Sequence, residues 1–399
     1  MLRRSVRPDG PLRVLFVVPD LTVGGAERHV VTLMPAMDPA RFAPSVLCIN
    51  QEGPLFADVT RAGIPARALG QAKGDPRGLV RGFVQLVAHL RRERPDVVVT
   101  RGSNAETLGR LAAVLAGVPR TVVWVHNCGT AAPRPRARRI ADRLLGPATS
   151  AYYGLARGQV PYLTGELGYP RERIRLMHNG VDPAEYLYVP FEERRAALAA
   201  ELGIEPGDTV AGIVAAIRPE KDHATFLRAA QLVVRDVPNA RFLVVGRGRY
   251  DADLERVRAL ARELGIADRV VFTGRRADVA DVVALMDVFC LTSHTVECFP
   301  ISLLEAMATG RAAVCTAVGG VPDMIDDGVT GYVVPPRDPA ALAERLAELL
   351  ADPAKAEKMG RAGRERLEAR FTLESSVREA ERAIEETAGR RVPAGEARA

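Results

Sequence analysis

Aromatic residues make up only 5% of the 399 residues, with a single Trp. A surface of stacked rings for single-stranded nucleic acid is therefore not expected. Cysteine is also sparse: Cys48, Cys128, Cys290, Cys298 and Cys315 are odd in number, widely spaced and free of any C-x-x-C pair. That pattern speaks against a disulfide framework or zinc ribbon and favours a reducing compartment. The six histidines form no H-x-x-x-H pair, so a zinc site has no support. G-x-S-x-G, Walker A and G-x-G-x-x-G motifs are all missing. No apolar run approaches the roughly 18 residues of a membrane span. The basic N-terminus meets no apolar segment before Val14–Pro19, which is too short for a secretory leader. The expectation is a cytoplasmic protein, at most peripheral to the inner face of a membrane.

What is present is a core-forming composition, 47% hydrophobic and 26% charged. The net charge of +6 is unevenly placed: residues 1–190 carry 26 Lys and Arg against 15 Asp and Glu, the remainder 29 against 34. Short apolar runs alternate with longer helical segments. Val14–Val18, Ser45–Ile49, Asp96–Thr100 and Thr121–Val125 read as strands, with helices over Pro76–Glu93 and Asn104–Leu115. The alternation restarts after Ile174–Met177, with strands over Thr209–Ala215, Arg241–Val245, Val270–Phe272, Val288–Leu291 and Ala313–Thr316 and helices between them. Buried runs separated by helices predict α/β architecture with parallel sheets. The expected plan is two Rossmann-like βαβ domains facing a cleft. Their bounds are a loose tail at 1–11, an N-terminal domain at 12–190, a C-terminal domain at 191–375, and a helix with tail at 376–399.

Four clusters stand at expected strand ends. Gly24-Gly25 opens the first helix, where free amides favour an anion or sugar oxygen; a plain tight turn is the alternative. Glu297 and Glu305 flank Phe299-Pro300-Ile301-Ser302-Leu303, a helix start whose amides suit a phosphate while the acids accept from hydroxyls. A dipole-complementing Glu with a solvated one is the simpler alternative. Arg218-Pro219-Glu220-Lys221 offers two cations to a departing diphosphate, or merely exposed loop charges. His126 ends Thr121–Val125, where ligands of open sheets bind, although structural histidines are common. Asp251-Ala252-Asp253 resembles a metal-binding D-x-D, but its position before an apolar-periodic segment reads as acids at a helix start.

Taken together, in order and spacing, these clusters resemble the retaining glycosyltransferases of family 4, which have the GT-B fold. The resemblance covers roughly residues 12–385 and rests on Pro219-Glu220-Lys221-Asp222, Phe272-Thr273-Gly274, Glu297-x-Phe-Pro-x4-Glu305, and Gly319-Gly320-Val321-Pro322. His178-Asn179-Gly180, Gly24-Gly25-Ala26-Glu27-Arg28 and Val125-His126-Asn127 match as well. The resemblance implies a nucleotide diphosphate sugar as donor, a hydroxyl acceptor, no metal, and front-face transfer with retention. Glu305 would bind ribose, Glu297 the sugar hydroxyls, and Lys221 with Arg218 and the amides of 299–303 the diphosphate. Gly274 and Arg275 would border the base, Gly24 and Gly25 the phosphate and sugar, and His126 the reacting carbon. Two positions depart from the family pattern: its usual Arg falls on Ala216, and its usual Gly on Cys298.

Acceptor identity has a weaker signal. Arg134-Pro135-Arg136-Ala137-Arg138-Arg139 and the segment Arg77–Arg94, which also holds Leu79, Val80, Phe83, Val84, Leu86, Val87 and Leu90, make a basic amphipathic surface. Such a surface suits an anionic membrane and a lipid-linked, cell-envelope or exopolysaccharide acceptor. Alternatively, the apolar residues pack on the sheet and the arginines are solvated. A sugar-nucleotide epimerase and a non-catalytic membrane-docking protein on the same fold are the competing functions.

Overall fold

Short runs of Val, Leu and Ile without polar interruption suit strands buried on both faces, and such runs form the central strands of both sheets. The computed structural model describes residues 4–22, 24–71, 76–129, 135–186, 192–295 and 297–390. Arg134, the side chain of Arg77, the expected boundary near 190, and residues 1–3 and 391–399 of the expected tails lie outside them. Two compact units are present, one of residues 1–179 with 373–399 and the other of 180–372.

The first unit holds strands β1 (Leu12–Val18), β2 (Phe42–Cys48), β3 (Ala66–Ala68), β4 (Val97–Thr100), β5 (Arg120–Trp124), β6 (Ala151–Gly154) and β7 (Ile174–Leu176). They pair in parallel in the order β3-β2-β1-β4-β5-β6-β7. The second unit holds β8 (Thr209–Val214), β9 (Ala240–Val245), β10 (Val270–Gly274), β11 (Val288–Leu291), β12 (Ala312–Thr316) and β13 (Tyr332–Val334), ordered β10-β9-β8-β11-β12-β13. Both are Rossmann-like, as expected from the sequence. In each, the strand order reverses at one place, between β1 and β4 and between β8 and β11. At such a reversal the loops leaving two adjacent strands diverge and leave a crevice for ligands.

Helix Leu373–Ala388 belongs to the first unit, held there by specific polar contacts. Tyr153 donates to the Ala383 carbonyl at 2.9 Å, and Arg41 pairs with Glu381 at 3.2 Å and Glu385 at 2.7 Å. Residues 4–11, expected as a loose tail, are tied down instead. Arg7 pairs with the buried Asp96 at 2.8 Å, and the Arg4 amide donates to the Gly117 carbonyl at 3.2 Å.

Helix Pro76–Glu93 forms over the expected residues, but its apolar residues divide. Leu86 and Leu90 enter the core with Phe83 and Val87 packed beside them, whereas Leu79, Val80 and Val84 stay exposed.

Gly246, at the end of β9, has a φ of 145°, and a Cβ there would lie 2.0 Å from the Ala215 carbonyl oxygen. Only glycine lets the loops after β8 and β9 approach this closely. Gly246→Ala is expected to lower the unfolding free energy by about 2 kcal/mol or more. Denaturant unfolding checks this, and an unchanged midpoint would contradict it.

Candidate active site

The strand reversal in the second unit brings the loops after β8 and β11 together, and hydrogen bonds stitch them. Thr292, fully buried at the end of β11, donates to the carbonyls of Lys221 (2.9 Å) and Asp222 (3.0 Å). The His294 amide donates to the Glu220 carbonyl at 3.1 Å. Asp222 holds a left-handed backbone, φ 49° and ψ 52°, which Asp tolerates better than most residues. Its side chain caps helix His223–Asp236, accepting from the Thr225 amide (3.2 Å) and hydroxyl (2.7 Å).

On this frame Lys221 Nζ and Glu297 Oε1 form an ion pair with little solvent exposure. Ser293 also donates to Glu297 Oε1 at 3.1 Å, and the Glu297 carbonyl accepts from Gly320 at 3.0 Å. Two residues 76 apart in sequence thus meet because the fold returns both strands to one crevice. Arg218 takes another course: it is half exposed and pairs with Glu220 at 3.2 Å.

Helix Ile301–Ala308 begins after Pro300, which occupies the cap position rather than the first turn. Pro300 has no N–H, and the Leu303 amide already donates to the Pro300 carbonyl at 3.2 Å. Of the expected donors, Ile301 and Ser302 have the first-turn amides that a helix leaves without an internal acceptor. The side chains of Phe299 and Leu303 are core residues, Phe299 packing edge-on to Phe371 at 5.2 Å. Glu305 is buried and accepts from the Tyr186 hydroxyl at 3.2 Å. Gly274 closes β10 with φ 69°, and Arg275 after it is exposed. Asp251 and Asp253 start helix Asp251–Glu263, and Asp253 accepts from the Tyr250 amide at 3.1 Å, as the capping reading requires.

In the first unit, β1 and β4 are neighbours at the reversal, and the loop after β1 leads through Gly24 into the next helix. Gly24 is extended, φ −157°, so its backbone suits any residue. A Cβ at Gly24 would approach Glu27 Oε2 to 2.5 Å, a contact that the end of a flexible side chain can relieve. Gly25 starts helix Gly25–Ala36. Glu27 pairs with the buried Arg101 at 2.6 Å, an ion pair that no local spacing announces.

His126 follows β5 and packs on Trp124 at 4.4 Å; His29 packs on the same Trp124 at 5.3 Å and lies 6.5 Å from His126, so the three rings form one cluster. The ring nitrogens of both histidines are buried without a hydrogen-bond partner among the described residues. Burial, with Arg101 adding a like charge, holds His126 well below the ordinary imidazole range and pushes His29 down to about 3. A neutral imidazole has one donor and one acceptor, which matches hydroxyls rather than phosphate charge. Gln159, also missed from sequence, positions this segment. Its amide donates to the carbonyls on either side of His126, Val125 (2.9 Å) and Asn127 (2.8 Å), and it accepts from Leu155 at 2.7 Å.

Two outcomes follow from these buried groups. Replacing Gln159 by Leu takes this partner from the buried Leu155 amide and Val125 carbonyl and the part-buried Asn127 carbonyl, and is expected to cost about 2–3 kcal/mol of stability, measurable by urea unfolding. For His29, the unfolded chain titrates near 6.5 while the folded ring stays neutral down to about 3. The unfolded state therefore binds more protons between those values, and stability falls as pH drops below about 6.5. The loss between about pH 7 and 5 is roughly 1–2 kcal/mol for this ring. His29→Phe should remove that share of the pH dependence; a variant with the wild-type slope would refute the assignment.

Comparison with known proteins agrees with this geometry. Residues 23–185 match the model of Glycosyltransferase Family 4, and residues 194–366 that of Glycosyl transferases group 1. A D-inositol 3-phosphate glycosyltransferase of Segniliparus rotundus is 31% identical over 64% of this chain and 57% of its own length. An N-acetyl-alpha-D-glucosaminyl L-malate synthase of Bacillus anthracis is 32% identical over 54% of each chain. The match thus spans little over half the length of these relatives. Among solved structures, Alr3699/HepE of Anabaena in complex with UDP shares 19% identity and a TM-score of 0.82, over 94% of this chain and 100% of that one. A glycosyltransferase of Rickettsia africae gives 17% and 0.83, over 94% and 98%. At these identities the structures bear on the fold, which is GT-B. With one family model on each sheet-bearing unit, in the family's order, the chain belongs to the group 1 and family 4 glycosyltransferases.

Proposed function

We propose that this protein transfers a sugar from a nucleotide diphosphate sugar to a hydroxyl acceptor, with retention at the anomeric carbon. The observation that carries the reading is the Lys221–Glu297 pair at the strand reversal of the group 1 unit. A cation and a carboxylate held together there match the two ends of a glycosyl diphosphate. Lys221 offsets the charge that develops on the leaving diphosphate, and Glu297 accepts from sugar hydroxyls. The Ile301 and Ser302 amides add donors for the phosphates. Arg218 joins them by leaving Glu220, which replaces the missing arginine at Ala216. Glu305, with Tyr186 beside it, accepts from ribose hydroxyls, and Gly274 and Arg275 border the base. In the family 4 unit, Gly24 and Gly25 approach phosphate and sugar, and neutral His126 bonds a hydroxyl near the reacting carbon.

The bond from the anomeric carbon to the leaving phosphate oxygen breaks as the acceptor oxygen bonds that carbon from the same face. The acceptor proton passes to the departing phosphate, so Lys221 stabilises the group that is leaving and acting as base at once. No metal or cofactor takes part in this scheme. The acceptor class is a lipid-linked, cell-envelope or exopolysaccharide hydroxyl, in keeping with a UDP-Gal:alpha-D-GlcNAc-diphosphoundecaprenol alpha-1,3-galactosyltransferase of Escherichia coli, 24% identical over 68% of this chain. Among the described residues no helix is long and apolar enough to cross a membrane. In this reading a lipid acceptor is met at the cytoplasmic surface of the membrane.

Incubation with a panel of nucleotide sugars and glycan or lipid acceptors should release nucleoside diphosphate. Lys221→Met should slow release by about 10²–10³-fold, and Glu297→Gln comparably, with thermal midpoints recorded because breaking this pair also destabilises. Release by neither wild type nor variants, in folded protein, would overturn the proposal. An altered sugar nucleotide without any acceptor would replace it with epimerisation.

A further inference from the structure

Helix Arg136–Leu145 has its polarity reversed. A helix lying on a soluble domain ordinarily turns its apolar stripe inward and its charges outward. Here the inward positions are ionic: buried Asp142 pairs with Arg110 of helix Ser103–Leu115, and Arg138 pairs with Glu106 of the same helix. The outward positions are Ile140 and Leu144, 60% and 74% exposed and one turn apart. Arg136, Arg139 and Arg143, all exposed and spaced i, i+3, i+7, form a strip beside them. Asp142 is the only acid in this helix and it faces inward, so the exposed side is apolar and cationic with no anion.

The neighbouring helices also expose apolar residues. Helix Ser103–Leu115 packs against both Arg136–Leu145 and Pro76–Glu93. It contributes exposed Leu111, and Pro76–Glu93 contributes exposed Val80, Arg81 and Val84.

We infer that this face of the first unit docks on an anionic lipid bilayer. Ile140 and Leu144 enter the boundary between headgroups and acyl chains, and the flanking arginines take the lipid phosphates. Charge complementarity selects this occupant: a strip of three arginines without a carboxylate, on the half of the chain with excess positive charge, meets a surface of uniform negative charge. The inference deepens the reading of a lipid-borne acceptor and rests on it only for the purpose of docking.

The test is co-sedimentation of the full chain with vesicles of phosphatidylcholine containing phosphatidylglycerol, and of phosphatidylcholine alone. Binding is expected to the first and to be weakened by salt. Ile140→Asp with Leu144→Asp should lower partitioning about tenfold or more. Arg139→Gln with Arg143→Gln should lower it about tenfold. Ile140→Gln with Leu144→Gln is a milder pair of the same sign should the aspartates disturb folding. Wild type that fails to sediment with anionic vesicles overturns the inference, as does undiminished binding by the folded variants. A wild-type dimer that these substitutions dissociate, without vesicle binding, also overturns it and assigns the face to a second copy. No nucleotide sugar enters this assay, so absent docking leaves the transfer reading intact, and absent turnover leaves docking intact.

Discussion

The site in the group 1 unit depends on one ion pair and on the topology that makes it possible. Lys221 and Glu297 sit on loops leaving neighbouring strands β8 and β11, where the sheet reverses its order. Desolvating two charges is costly unless they are paired and further hydrogen-bonded. Thr292 locks the loops, Ser293 adds a second donor to Glu297 Oε1, and Gly320 donates to the Glu297 backbone carbonyl. The left-handed turn at Asp222 and the tight approach at Gly246 serve the same end, since each lets a loop reach the crevice without losing its helix or strand.

The family 4 unit applies the same topology with other side chains. Its reversal holds Glu27 and Arg101 as a pair, and burial beside Arg101 keeps His126 and His29 neutral. The two reversals thus hold different groups: an ion pair with a hydroxyl donor beside it in one, and an ion pair beside two neutral imidazoles in the other. Net charge does not forecast this division: the cationic Lys221 lies in the acidic part of the chain, while the basic excess of the first unit lies partly on exposed helices.

Both Rossmann-like sheets were legible because parallel strands buried on two faces must read as unbroken apolar runs, as Val14–Val18 and Val288–Leu291 do. Strands Ala66–Ala68 and Ala151–Gly154 escaped notice because they contain no Val, Leu or Ile, and Tyr332–Val334 because it is a run of only three residues. Glu297 and Lys221 could be singled out from local motif chemistry. Arg101, Tyr186 and Gln159 could not, because each acts through a partner from a distant segment or through backbone carbonyls. The reversed polarity of Arg136–Leu145 was hidden for a related reason. Sequence showed arginines and apolar residues together, but only the pairing of Arg138 and Asp142 with the adjacent helix reveals which side is inward.

The central claim is that the Lys221–Glu297 pair and the amides after Pro300 form a grip for a nucleoside diphosphate. Calorimetric titration of the wild-type chain and of Lys221→Met with nucleoside diphosphates tests it most directly. Saturable binding of at least one diphosphate by the wild type is expected, weakened at least about tenfold by the substitution through loss of a charge-assisted contact. Equal affinity in both folded proteins, or no binding by the wild type to any diphosphate, would contradict it.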